Sequence, residues 1–254
     1  MAGRIFVTGD CHGDFRRFNM ASFPEQKELD RDDYMIICGD FGGIWNREES
    51  REEEYWLDWL DRKSYTTLFV DGNHENFDRL NSYPVREWKG GRVHEIRPSL
   101  LHLMRGQIFC LGGKSFFTFG GASSHDIAGG ILEPEDPDFR GKKRRLDQEG
   151  ALYRVRHISW WEEELADERE MEEGRENLEK AGYRVDYIIT HCCATGTQEE
   201  LGGRGLYDAD RETDYLEYIR NHTAFTRWFF GHYHMDGMVN DREVLLYEQI
   251  VEAD

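Results

Sequence analysis

An α/β fold built on a parallel sheet is predicted by three observations in this 254-residue chain. The first third alternates short apolar runs with helix-patterned polar stretches, in the order β-α-β-α-β, which implies parallel strands joined by right-handed crossovers. The middle switches to closely spaced strand-like runs. And the apolar runs end repeatedly in Gly followed by Asp, Asn or His, at the strand ends where open α/β sheets place their ligand sites.

Residues 4–8 (Arg-Ile-Phe-Val-Thr), 34–38 (Tyr-Met-Ile-Ile-Cys) and 66–70 (Thr-Thr-Leu-Phe-Val) read as buried strands, being short, β-rich and bounded by Gly and Asp. Helices are predicted between them at 14–28 and 49–62; Tyr55, Trp56, Trp59 and Leu60 recur at helical spacing in the second and are expected in the core. Residues 92–96, 100–104, 107–111 and 115–119 read as an antiparallel meander, and 120–150 as a long functional loop. A helix is predicted over 160–181, capped by Ser159. Strands follow at 185–190 and 227–230, with a helix at 213–220 between them. A closing hairpin is expected from 236–240 and 243–248, turning at Asn240-Asp241. No Pro/Ser/Gly-rich linker divides the chain, so one domain over residues 1–254 is expected.

The net charge of −19 disfavours nonspecific nucleic-acid binding, because such a field repels a polyanion. Much of the acidity lies in the helical stretches 47–61 and 162–179 and reads as solvated helix face. The one basic run, Lys142-Lys143-Arg144-Arg145, could attract a phosphate on so acidic a protein. No apolar stretch spans a bilayer and no secretory signal is read at the N-terminus, so a cytoplasmic protein without membrane contact is expected. The five cysteines, Cys11, Cys38, Cys110, Cys192 and Cys193, lack disulfide or zinc-ribbon spacing and are expected as buried, reduced thiols.

The chemistry is carried by Gly9-Asp10-Cys11-His12-Gly13, Gly39-Asp40-Phe41-Gly42-Gly43, Gly72-Asn73-His74-Glu75, Thr190-His191 and Gly231-His232-Tyr233-His234. One Asp after a strand is commonly a cap, and one His is commonly structural. Gly followed by a ligand-type residue at four strand ends is poorly explained as capping. Carboxylates, imidazoles and a carboxamide oxygen together form the donor mixture of a two-metal hydrolase site, suited to Mn, Fe, Zn or Ni. His74 follows a candidate ligand, and an imidazole there can give a proton to a leaving alkoxide.

These blocks resemble the calcineurin-like metallophosphoesterase superfamily, whose pattern is Asp-x-His, Gly-Asp, Gly-Asn-His-(Asp/Glu), a later His, and Gly-His-x-His, in that order. The resemblance runs from Asp10 to His234. It implies a four-layer α/β/β/α sandwich of two mixed sheets flanked by helices, and a phosphomonoesterase or phosphodiesterase with two divalent or trivalent transition-metal ions, Mn first among them. It further implies Asp10, His12 and His234 on one metal, Asn73, His191 and His232 on the other, Asp40 bridging, a metal-activated hydroxide as nucleophile, and His74 as general acid. The expected partner is a small phosphorylated substrate, with nucleotides as the alternative, stacked on aromatics of the 120–150 loop or near Tyr207. The first and third blocks also resemble serine/threonine protein phosphatases and dinucleoside tetraphosphatases. The Arg-bearing continuation of that branch is replaced here by Phe41-Gly42-Gly43-Ile44-Trp45. Arg16, Arg17 or the 142–145 run remain as sources of the missing charge. The segments at 39–45, 120–124 and 160–162 together resemble a bacterial subgroup of the superfamily.

Overall fold

The computed structural model describes residues 3–203 and 207–253. Strands β1 (Ile5–Thr8), β2 (Tyr34–Ile37), β3 (Thr66–Phe69), β4 (Val85–Trp88), β5 (Gly91–Arg97) and β6 (Leu100–Leu103), joined by the C-terminal β15 (Ile250–Glu252), form a seven-stranded sheet in the order 15-1-2-3-6-5-4. Within it β1, β2, β3 and β6 run parallel, whereas β4, β5 and β15 pair antiparallel. Strands β7 (Gln107–Leu111), β8 (Lys114–Phe119), β11 (Tyr187–Thr190), β12 (Arg227–Phe230), β13 (Gly237–Met238) and β14 (Glu243–Leu245) form a second sheet of six, in the order 13-14-12-11-8-7.

Period-two alternation decides how these sheets stack. Ile5, Val7, Ile36 and Leu68 of the first sheet meet Phe116, Tyr187, Ile189 and Phe229 of the second in a shared buried cluster. Their neighbours point the other way. Phe6, Met35, Ile37 and Phe69 pack with Leu57 and Leu60 of α1 (Arg51–Asp61), and Phe117, Ile188 and Trp228 pack with Met171 and Leu178 of α4 (Glu168–Lys180) and Leu216 and Ile219 of α6 (Arg211–His222). Both faces of each sheet are thereby covered, giving helix, sheet, sheet, helix. Full burial of each such side chain stabilises by roughly 1.5–3 kcal/mol, so a strand that slipped one residue would exchange its two clusters at considerable cost.

Four local expectations need correction. Residues 14–28 form two 3-10 turns, Arg16–Phe18 and Pro24–Glu28, instead of one helix. Asn19 Oδ1 accepts from the amides of Ala21 and Ser22, and Pro24 donates nothing, so the backbone bonds locally instead of continuing helical. The expected meander is divided: β5 and β6 pair in the first sheet, β7 and β8 in the second. The 120–150 stretch is not all loop. It contains β9 (Ile131–Leu132), which pairs in parallel with β10 (Arg154–Val155), and the largely exposed α3 (Phe139–Glu149), in which only Phe139 and Leu146 are half-buried, closed by Gly150 at φ 64°. The helix expected from residue 160 begins at Glu168. Asp167 caps it, accepting from Glu170 N at 2.8 Å, while Ser159 Oγ accepts from Val155 N instead.

Other expectations hold. The helix predicted over 49–62 is α1, opened by a reciprocal capping box of Ser50 and Glu53, and β13 and β14 form the closing hairpin. In α1, Trp56 and Trp59 pack against the core, but Tyr55 is exposed. Among the cysteines only Cys110 departs from expectation: it is exposed on β7, while burial pushes the Cys11 and Cys193 thiols up to about 12. No helix among the described residues is long and apolar enough to cross a membrane.

Candidate metal centre

Every ligand-type residue flagged in the sequence follows the carboxyl end of a strand: Asp10 and His12 after β1, Asp40 after β2, Asn73 and His74 after β3, His191 after β11, His232 and His234 after β12. The two sheets thus deliver their contributions to one edge. Asp10, His12, Asp40 and His234 each offer an atom within 4.8 Å of the others. His234 Nε2 lies 3.2 Å and His12 Nε2 3.8 Å from Asp10 Oδ2, and the two imidazole nitrogens face each other at 3.0 Å. A second group adjoins the first through Asp40. His191 Nε2 is 3.3 Å from Asp40 Oδ1 and 3.3 Å from Asn73 Oδ1, and the His191 and His232 rings meet edge to face at 4.9 Å.

The backbone is shaped for this convergence. Asp40 and three of the histidines, His12, His232 and His234, have φ between 42° and 71°, in the left-handed region. Such positions cost of the order of 1–3 kcal/mol each and concentrate at functional sites. Two glycines let the pieces close up. A Cβ on Gly231 would stand 2.1 Å from Asp10 Oδ1, and one on Gly39, itself at φ 85°, would stand 2.2 Å from His191 Nδ1. The backbone also orients the carboxylates: His232 N donates to Asp10 Oδ1 at 2.9 Å and His74 N to Asp40 Oδ1 at 2.8 Å.

The donor set fits cations. Asp10 Oδ2 is buried without a hydrogen-bond partner, an expensive state for a carboxylate oxygen unless a cation meets it. Facing imidazole nitrogens suit the same need. Electrostatics agree: burial opposes charging His191, but Asp40 and then Asp10 outweigh it and lift the imidazole to about 10, so a proton there balances the carboxylates. Burial opposes ionisation of Asp40, yet the charge of His191 and the bond to it hold the carboxyl well below its usual range. Burial depresses His12, His74 and His232.

Two residues that the sequence reading did not flag join the site. His125 Nε2 lies 2.8 Å from His232 Nε2. Arg154, buried on β10, reaches His74 Nε2 at 2.9 Å, the Asn73 carbonyl at 3.2 Å and Asp126 at 2.6 Å. Neither sits in a periodic pattern or a ligand motif, so only the fold reveals them. Of the expected phosphate cations, four are engaged with other groups. Arg16 pairs with Asp14, Arg17 donates to the Asp10 carbonyl and Thr8 Oγ1, Lys142 pairs with Asp136, and Lys143 with Asp147.

A family model described as calcineurin-like phosphoesterase matches residues 3–236 of the chain. The chain belongs to that family. Among curated proteins, lariat debranching enzyme A of Xenopus laevis is 25% identical over 143 residues, covering 51% of this chain and 26% of that protein. Lariat debranching enzyme of Drosophila melanogaster is 22% identical over 256 residues, covering 91% and 42%. The chain therefore spans less than half the length of these relatives. Among solved structures, phosphopantetheinyl hydrolase from Mycobacterium tuberculosis superposes with a TM-score of 0.46 at 14% identity, covering 97% of this chain and 88% of that one. As a member of the calcineurin-like family the chain carries a metallophosphoesterase framework, with a candidate metal cluster at its sheet edge.

Proposed function

We propose that this calcineurin-like protein hydrolyses small phosphomonoesters or phosphodiesters at a dinuclear metal centre, manganese being the first metal to try. The observation that carries the reading is the buried Asp10 Oδ2, which accepts no hydrogen bond and faces the His234 and His12 imidazoles within the Asp10–His12–Asp40–His234 cluster, beside a second donor group sharing Asp40. Asp10, His12 and His234 would hold one ion, and Asn73, His191 and His232 the other, with Asp40 between them. His125 is placed to support His232. When bound, such ions supply Lewis-acid stabilisation of phosphoryl charge and an activated water at neutral pH.

The remaining roles fall to protein groups. A guanidinium carries donors and no acceptor, so His74 Nε2 accepts from Arg154 and the ring proton resides on Nδ1. A neutral His74 would offer Nδ1–H as a hydrogen bond to the charge developing on a leaving oxygen, and the Arg154 guanidinium adds positive charge beside it. The test uses manganese-loaded protein with p-nitrophenyl phosphate and its bis-ester. Turnover is expected. Asp40→Ala should lose metal occupancy, whereas His74→Ala should keep the metal and lose turnover. Equal metal loss in both, or unchanged turnover in His74→Ala, would refute the assignment.

A further inference from the structure

A cleft of 460 Å³ opens beside His12 and His74, with the indoles of Trp45 and Trp56 among its walls and Phe15 at its lining. Its size is that of a small-molecule site. The aromatic walls are held in place before any ligand arrives. Trp45 stacks on His74 at 5.8 Å and 29°, abuts Trp161 edge-on at 5.7 Å, and has its backbone amide bonded to Glu53 Oε1 at 2.7 Å. Trp56 meets Phe15 at 6.0 Å and Trp59 at 5.3 Å. Fixed walls reduce the ordering entropy that binding would otherwise cost.

The charge of the cleft narrows its occupant. No Lys or Arg stands among its described lining residues, whereas two carboxylates do. Glu53 is fully committed: it accepts from the amides of Trp45, Asn46 and Ser50 and pairs with Arg79. Glu52, in the first turn of α1, is exposed and enters no hydrogen bond or ion pair with the described residues, and Asn46 Oδ1 is likewise unspent. The rim therefore presents free acceptors over an apolar, flat-walled space. An additional phosphate or carboxylate is unwelcome there. A planar, uncharged ring edged with an amino group fits: the ring stacks on indole, and the amine donates to Glu52 or Asn46.

Resting on the phosphoesterase reading, we propose that this cleft seats the base of a nucleoside phosphate whose phosphate lies at the metal centre, with amino-bearing bases preferred. The aromatic contacts come from Trp45 and Trp56, not from the 120–150 loop or Tyr207, which instead lies against Tyr233 and His125.

Calorimetric titration of the manganese-loaded full chain with adenosine, cytidine, uridine and ribose tests this, alongside turnover of adenosine 5′-monophosphate, its cyclic diester and ribose 5-phosphate. Adenosine and cytidine should bind and ribose should not. Trp45→Ala and Trp56→Ala should each weaken adenosine roughly 5- to 150-fold. Glu52→Lys, on an exposed helical face that tolerates exchange, should reverse a preference for cytidine over uridine. The base-bearing substrates should exceed ribose 5-phosphate in kcat/KM. Nucleosides binding no better than ribose, or unweakened by either Trp substitution, would overturn the proposal. In that event hydrolysis of p-nitrophenyl phosphate would still stand as independent support for the phosphoesterase reading. Tight nucleoside binding with no turnover of any phosphate ester would overturn both.

Discussion

Replacing Arg154 by Met removes a buried guanidinium while keeping much of the side chain's apolar bulk. Three acceptors lose their donor: His74 Nε2 at 2.9 Å, the Asn73 carbonyl at 3.2 Å and the Ser159 carbonyl at 3.3 Å. Leaving a buried polar group unpartnered costs about 1–3 kcal/mol, so three would total ~3–9 kcal/mol if none recruited water. The Asp126 carboxylate is 46% exposed and rehydrates readily, adding little. Partial rehydration puts the expected loss of stability at the lower end, about 3 kcal/mol. The catalytic effect is separate. With Nε2 freed, the ring can take either tautomer and swing from its place, which forfeits part of the roughly 10²–10⁴-fold that a positioned acid contributes. A 10- to 100-fold fall in kcat is expected with manganese content unchanged. The fall should be larger for an alkyl phosphate, whose leaving oxygen needs a proton, than for p-nitrophenyl phosphate. Arg154→Lys should rescue only in part, because one ammonium cannot reproduce the fork that spans three acceptors. The reasoning is refuted if Arg154→Met keeps full activity on the alkyl ester, or if both esters fall equally while His74→Ala discriminates between them.

Three further outcomes follow from the packing. Gly231→Ala should drive the Asp10 carboxylate from its place, since the added Cβ would stand 2.1 Å from Oδ1, and metal content measured by plasma mass spectrometry should drop well below that of the parent. Burial pushes the Glu212 carboxyl up to about 8, with its Oε1 unpartnered. The folded state then holds a proton that the unfolded chain releases above its ordinary value of 4.5. Stability should therefore decline as pH rises from about 4.5 to about 8, and Glu212→Gln should flatten that part of the melting profile. An unchanged slope would place the titration elsewhere. Finally, manganese at a hundred times its Kd should raise Tm by about 5–10 °C over chelator-treated protein, an increment that Asp40→Ala should abolish.

The strand ends were legible because burial on both faces leaves a continuous apolar run, and the run stops where the chain turns to present Asp10, Asp40, Asn73, His191 or His232. The four layers follow from alternation such as Phe6 facing one cluster while Ile5 and Val7 face another. The division of the middle strands between two sheets was not legible. Residues 92–119 have the same apolar spacing whichever partner they take, and the choice depends on β6 finding β3 and β8 finding β11, both distant in sequence. Helix starts were missed where a side chain competes for the backbone, as Asn19 does, or where the true cap, Asp167, lies inside an acidic run that reads as helix throughout. Arg154 and His125 illustrate the limit for the site. Each has ordinary neighbours in sequence and becomes meaningful only because β10 and the segment after β8 pass beside His74 and His232. The left-handed φ values of His12, Asp40, His232 and His234 are likewise invisible to residue type, since Asp and His adopt them only when the surroundings require it.

Anomalous scattering from crystals of the manganese-loaded chain tests the central claim most directly. Two peaks are expected, one among Asp10, His12 and His234 and one among Asn73, His191 and His232, with the Asp40 carboxylate touching both. A single peak, or a pair of peaks that Asp40 does not bridge, would contradict the dinuclear centre.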